Sequence, residues 1–272
     1  MTARKKLGFV GAGNMARALV KGVLASGLHR PSEIWVTDTL ADARRLMRRR
    51  HGVRSAGDNR ELVRGSEIVV LAVKPQVLPA VLDECRVEAS RRQLFISIAA
   101  GVTLRRLETG LGDGARVVRV MPNTPALLGK GMSVLAAGRS ATRRDLRQAM
   151  KIFRRVGDAI AVGDERLLDP VTGLSGSGPA YVYRFAEALI AAGVSQGLDD
   201  DVASRIVFRT LEGAAAMLLE TRMSPKQLRE MVSSPGGTTL AGLAVLERDR
   251  FASAVIDAVA AATARSRELG AA

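Results

Sequence analysis

The chain has 272 residues, enough for one large or two modest domains, and its 41 basic residues against 27 acidic ones give a formal charge of +14. A single cysteine, Cys85, excludes an internal disulfide framework and a cysteine metal cluster, and no uncharged stretch approaches the ~18 residues of a membrane helix. The charge is carried by 34 arginines scattered over helical stretches, with few aromatics beside them to stack bases, which argues against a nucleic-acid partner.

The first element is the run Lys6-Leu-Gly-Phe-Val-Gly-Ala-Gly-Asn-Met-Ala16. An apolar strand over 7–10 enters Gly11, Gly13 and Ala16, and a helix over 14–26 follows. Gly11 allows a sharp turn, Gly13 lets the backbone approach a pyrophosphate, and Ala16 lets the helix pack closely on its strand. This is the fingerprint of a dinucleotide site. What precedes it, the basic run Met1 to Lys6, lacks the apolar core of a signal peptide, so a soluble cytoplasmic protein is expected.

A second strand over 33–37 ends at Asp38, 25 residues after Gly13. An acid there accepts hydrogen bonds from a ribose 2′-hydroxyl, and with Thr39 rather than Arg beside it the pair leans toward NADH over NADPH. Arg44 and Arg45 lie one helical turn further, within reach of a phosphate, and a plainer role for Asp38 is to cap the helix over 40–50.

Further strands are expected over 68–73, 93–98, 116–121, 132–137 and 159–162, with a helix over 142–154. Runs such as Ile68-Val-Val-Leu-Ala-Val73 are apolar throughout, as in parallel strands buried on both faces. The alternation predicts an α/β fold with a doubly wound parallel sheet over residues 1–163. Three strand-end loops are stiffened or unusual: Ala72-Val-Lys-Pro-Gln76, Ser97-Ile-Ala-Ala-Gly101 and Met121-Pro-Asn-Thr-Pro125. Ligands of such sheets lie beyond the carboxyl ends of the strands, where these loops converge.

After residue 163 the texture turns all-helical, over 179–194, 199–220, 224–232, 239–247 and 250–268. Asp199, Asp200 and Asp201 stand at the favoured end of the second of these. Along 202–218 the apolar residues cover too wide an arc for one buried stripe, which points to an oligomer interface. Within this region Ser233-Ser-Pro-Gly-Gly-Thr-Thr239 makes a tight turn, with Thr238 or Thr239 expected to cap the next helix. The amides of Gly236, Gly237, Thr238 and Thr239 form an anion pocket suited to a small carboxylate.

A general acid is missing. The two histidines, His29 and His51, fall at helix ends and are expected to be solvated, and neither a Ser/His/Asp arrangement nor a metal-spaced cluster is visible. Chemistry therefore rests on positioning a hydride donor and a substrate, which suits a protonated imine better than a carbonyl.

Val171-Thr-Gly-Leu-Ser-Gly-Ser-Gly-Pro-Ala-Tyr-Val182, Ala186-Glu-Ala-Leu-Ile190 and the 233–239 run closely resemble pyrroline-5-carboxylate reductase, as do the glycine turn with Asn14-Met15-Ala16 and the loops at 72–76 and 121–125. The resemblance covers nearly the whole chain. It implies a Rossmann-like domain, 1–163, followed by an all-α dimerisation and substrate-binding domain, 164–272. It implies hydride transfer from NADPH or NADH to the C=N bond of 1-pyrroline-5-carboxylate, giving L-proline.

By the same resemblance Gly11, Gly13, Asn14 and Met15 match the pyrophosphate turn, Asn59 a residue near the adenosine ribose, and Ala72, Val73, Lys74 and Pro75 the loop against the nicotinamide half. Ser234, Gly236, Gly237, Thr238 and Thr239, with Asn123, match the substrate site; the Thr239 hydroxyl is the catalytic group beside the ring nitrogen. A homodimer with interlocked C-terminal helices is implied, extending to five dimers in a ring, with a site shared between subunits. Where many members carry Asn-Arg or a serine-rich turn, this chain has Asp38-Thr39, which leaves the coenzyme open. The other readings are a reductase of another cyclic imine, a non-catalytic nucleotide-sensing oligomer, and a β-hydroxyacid dehydrogenase, whose helical lysine would have to be Lys226.

Overall fold

Strands in the computed structural model, which describes residues 6–271, show why the apolar runs pair as they do. β1 (Leu7–Val10), β2 (Ile34–Thr37), β3 (Arg54–Ser55), β4 (Ile68–Leu71), β5 (Leu94–Ser97), β6 (Arg116–Pro122), β7 (Gly131–Ala137) and β8 (Gly157–Val162) form one sheet in the order β3-β2-β1-β4-β5-β6-β7-β8. Successive side chains alternate between faces. Leu94, Ile96, Val70 and Val118 join one buried cluster, while Phe95, Val69, Leu71 and Val117 join the other. α1 (Asn14–Ala25), α2 (Ala41–His51) and α6 (Arg143–Phe153) supply Leu19, Met47 and Phe153 to the first face. α3 (Asn59–Arg64), α4 (Leu78–Arg86) and α5 (Leu104–Leu111) supply Leu62, Leu82 and Leu107 to the second.

The sheet departs from the expected parallel arrangement at one end. β7 runs antiparallel to β6, and β8 parallel to β7, so two of eight strands are reversed. The connection from Asn123 to Lys130 is the reason. A parallel return takes a dozen or more residues, and this segment is a short 3-10 turn over Thr124–Leu128 closed by Gly129 at φ 74°. β3, two residues long, carries no apolar pattern that a sequence reading could find.

The chain divides into a sheet unit, reaching Ser177 and resuming at Ala260, and a helical unit, Gly178–Val259. In the sheet unit, α7 (Leu168–Val171) and a π turn over Thr172–Gly176 follow the last strand. Arg119 of β6 is buried there, with its guanidinium 2.7 Å from Glu165 and 3.9 Å from Asp169. Glu165 also accepts from the Leu104 amide at 2.6 Å, and Asp169 from the Ser266 hydroxyl at 2.8 Å. One buried cation thus holds together β6, the start of α5, the segment before α7 and the end of α12 (Phe251–Ala271).

The helical unit comprises α8 (Gly178–Ser195), α9 (Asp200–Glu220), α10 (Pro225–Met231), α11 (Thr238–Arg248) and the first part of α12. Asp199 is the N-cap of α9, with Asp200 and Asp201 in its first turn, where the helix dipole favours them. Ala186, Ala203 and Val207 are its buried apolar residues, while Tyr183, Ile206, Phe208, Leu219 and Ile256 are each more than half exposed. A unit this apolar with so little interior presents the kind of surface that marks an interaction site. No helix of the described residues is long and apolar enough to cross a membrane. Apart from Lys6, the basic N-terminal run lies outside the described residues.

Removing Arg119 leaves two carboxylates without their cation. Arg119→Leu is expected to cost about 3 kcal/mol and to lower the thermal midpoint by several degrees in a calorimetric scan, while Arg166→Leu at the surface changes it little. An unchanged midpoint for Arg119→Leu would show that the cation is not the hub.

Candidate active site

The sheet's topology sets the first group of site residues. The chain leaves β1 for β2 and β3 on one side and returns to β4 on the other, so the strand order reverses between β1 and β4. Doubly wound sheets open a crevice at such a point. Here a cavity of about 610 Å³ lies there, lined by Gly11 and Gly13 after β1, by Thr37 and Asp38 at β2, and by Ala72, Val73 and Lys74 after β4. Arg44, Asp58, Asn59 and Glu84 complete the charged and polar wall.

The turn after β1 is held by its neighbours on both sides. The Gly11 amide donates to the Thr37 carbonyl at 2.9 Å, and the Ala72 amide to the Val10 carbonyl at 2.8 Å. Gly11 sits at φ 98°, and a Cβ there would come 2.5 Å from the Ala72 carbonyl oxygen. Gly13 differs: its φ is −70°, it is the N-cap of α1 with no side-chain cap, and a Cβ on it would meet nothing within 4 Å. Gly13 thus lines the cavity at the open start of α1. A pyrophosphate fits such a place, because the amides have no intrahelical acceptor and the dipole favours an anion.

Asp38 does more than either role expected of it. Its Oδ2 accepts from the Ala12 amide and its Oδ1 from the Leu40 amide, both at 2.8 Å. Leu40, not Asp38 or Thr39, is the N-cap of α2. The carboxylate therefore ties the glycine turn to the end of β2 and still lines the cavity. Arg44 donates to the Asp38 carbonyl and lines the same cavity, whereas Arg45 pairs with Asp42 outside it.

Asn59 accepts from the Thr37 hydroxyl at 2.6 Å and donates to Glu84 at 2.7 Å. Lys74 is exposed at the start of a 3-10 turn, Pro75–Val77. Asn14, Met15 and Pro75 do not line the cavity. Asn14 is exposed at the first position of α1, and Met15 packs against the apolar cluster beneath. Glu84 and Asp58 were not legible as site residues, since no motif marks them.

Asn123 follows β6, where its Oδ1 accepts from the Met132 amide at 2.8 Å and its Nδ2 donates to Ser175 at 3.1 Å. These bonds fix the loop against the π turn, where a Cβ on Gly176 would collide with the Met121 methyl.

The helical unit holds the second group. Ser234 to Gly237 is a type II turn: Pro235 follows its first residue, Gly236 takes φ 71°, and the Gly237 amide donates to the Ser234 carbonyl at 2.9 Å. Gly237 is the N-cap of α11, with no side-chain cap. The expected Thr238 or Thr239 cap is therefore incorrect. Both threonines lie inside the first turn, since the tight turn ends one residue earlier and glycine alone avoids the Ser234 hydroxyl. Their hydroxyls bond to nothing among the described residues, Thr238 exposed and Thr239 half-buried.

The histidines keep part of their solvent exposure but are less open than expected. Both are half-buried, and burial lowers their pKa, so they are neutral at pH 7. Burial pushes the Cys85 thiol up to about 12. Lys226 pairs with Glu230 at 3.8 Å on an exposed helix face. No group of three or more His, Cys, Asp or Glu side chains is placed to hold a metal among the described residues.

A Rossmann-like sheet with a crevice at this switch point defines a dinucleotide-binding class of protein, and comparison with known proteins narrows the class. The family model described as pyrroline-5-carboxylate reductase dimerisation matches residues 165–269, and that described as NADP oxidoreductase, coenzyme F420-dependent, matches 6–101. Pyrroline-5-carboxylate reductase of Methanosarcina acetivorans is 44% identical over 266 residues, 98% of either chain. A pyrroline-5-carboxylate reductase structure from Coxiella burnetii superposes with a TM-score of 0.92 at 38% identity, covering 98% of this chain and 99% of that one. The Plasmodium falciparum pyrroline carboxylate reductase, solved with NADP bound, gives 0.87 at 32% identity over 99% and 100%. The chain belongs to the pyrroline-5-carboxylate reductase family.

The two glycines of the β1 turn are separable by experiment. Gly11→Ala is expected to cost about 2 kcal/mol or more of stability, from positive φ and collision. Gly13→Ala should stay within about 1 kcal/mol yet weaken coenzyme binding about tenfold. Thermal scans and fluorescence titration of the coenzyme check both; equal effects on stability would refute the distinction.

Proposed function

We infer that this protein reduces 1-pyrroline-5-carboxylate to L-proline with a reduced nicotinamide dinucleotide, NADPH or NADH. What carries the reading is similarity to named pyrroline-5-carboxylate reductases along the full length of both chains. The coenzyme, when bound, supplies the hydride. Gly11, Gly13 and the first amides of α1 would hold its pyrophosphate, Asp38 and Asn59 its adenosine ribose, and Ala72, Val73, Lys74 and Pro75 its nicotinamide half.

On the substrate side we propose that Ser234, Gly236, Gly237, Thr238 and Thr239 hold the carboxylate, with Asn123 a further substrate-binding residue. The supporting geometry is a helix start with no side-chain cap, where the dipole and the first amides of α11 favour an anion, the Gly237 amide being held by the Ser234 carbonyl. The Thr239 hydroxyl keeps the proton at the ring nitrogen. As hydride adds to the carbon of the protonated C=N bond, the π electron pair moves to nitrogen, leaving a secondary amine. An already protonated imine requires no histidine, and both histidines here are neutral and half-buried.

The dinucleotide role of residues 1–163 and the dimerisation and substrate role of 164–272 are proposed as functional divisions. So are the interlocked homodimer, its ring of five dimers, the shared site and cytoplasmic residence. The exposed apolar faces of α8 and α9 support association.

Thr239→Ala is expected to lower kcat/KM for pyrroline-5-carboxylate at least tenfold, about 1.4 kcal/mol. The assay follows loss of reduced-nicotinamide absorbance and identifies proline as product. Consumption of neither coenzyme by wild type would overturn the reaction, and an unchanged value for the variant would remove Thr239 from it.

A further inference from the structure

We propose that Glu84 is a coenzyme-selecting residue. Held in the cavity wall, its carboxylate acts with Asp38 to favour NADH, whose adenosine ribose ends in a hydroxyl, over NADPH, which carries a phosphate there. The inference rests on the reading that a dinucleotide occupies this cavity.

The local charge supports it. The protein as a whole is at +14, yet the charged residues lining this cavity are Asp38, Asp58 and Glu84 against Arg44 and Lys74. A basic exterior draws in either coenzyme, while the wall itself is net acidic. A phosphate monoester brings −1.5 to −2 charges at neutral pH, by the general behaviour of such groups, so carboxylates beside it raise the cost of binding. Arg44 offsets part of this, but its guanidinium is tied to the Asp38 carbonyl.

Glu84 is also placed rather than loose. The Thr37 hydroxyl donates to Asn59 Oδ1 at 2.6 Å, and Asn59 Nδ2 donates to Glu84 Oε2 at 2.7 Å. Thr37 is buried at the end of β2, where the adenosine ribose diol lies in dinucleotide folds of this topology. The bonded series Thr37–Asn59–Glu84 therefore fixes a carboxylate in relation to the position at which the two coenzymes differ. No cation pairs with Glu84 among the described residues, so its charge stays available to the cavity.

Glu84→Gln keeps an acceptor for Asn59 and removes the charge. Coenzyme dissociation constants are measured by fluorescence titration on the full chain, at about 20 and about 200 mM salt, for wild type, Glu84→Gln, Glu84→Ala and the control Glu88→Gln. Glu88 lies four residues on, past the end of α4, paired with Arg64 outside the cavity.

Wild type should bind NADH more tightly than NADPH, with the gap narrowing as salt screens the wall. Both Glu84 variants should tighten NADPH about threefold or more while NADH stays within about twofold, and Glu88→Gln should change neither. A wild type that prefers NADPH, an unchanged ratio in Glu84→Gln, or equal weakening of both coenzymes would overturn the proposal. Failure of every form to bind either coenzyme would overturn the dinucleotide reading as well.

Discussion

Helix starts left without a side-chain cap organise this molecule. The first amides of any helix lack acceptors within it and must find them elsewhere. α3, α5, α6 and α10 satisfy theirs with Asp58, Thr103, Thr142 and Ser224. α1 and α11 instead begin at Gly13 and Gly237, which have no side chain to offer. A glycine cap gives up only a few tenths of a kcal/mol relative to serine, so leaving these amides open costs little. What it provides at α1 and α11 is a helix start where the dipole and the first amides favour an anion.

Holding those amides in place falls to the surrounding structure. At α1 the work is shared by β2 and β4, whose ends bond the turn from either side, and by the Asp38 carboxylate on the Ala12 amide. The strands can serve as a rigid frame because both their faces are filled, so a shift of one would open a void in either cluster. At α11 the frame is local: Pro235 and Gly236 set the turn, and Gly237 closes it against Ser234.

How much of this could be read from residues alone follows from the range of the forces involved. Strands and helices were legible because burial on two faces leaves continuous apolar runs and burial on one leaves a stripe. The glycine turn was legible because Gly11 needs a positive φ that few other residues adopt. Thr238 and Thr239 misled, since their capping propensity is local whereas the cap position was decided by the preceding turn. β7 misled too, its apolar run being blind to direction. Glu84 left no trace, because its place in the cavity wall is tied to Asn59, 25 residues earlier, and no periodicity links them.

The two units also differ in what makes them stable. The sheet unit buries large side chains such as Phe9, Phe95 and Phe153 and adds the Arg119 hub. The helical unit has three small or medium apolar residues inside and many large ones outside. Each exposed Leu, Ile or Phe would gain on the order of 1.5–3 kcal/mol from full burial, which only association supplies on this scale. Association of the helical unit therefore adds to its stability by mass action. The 233–239 turn lies in that unit, whereas the crevice between β1 and β4 is framed by the sheet unit alone.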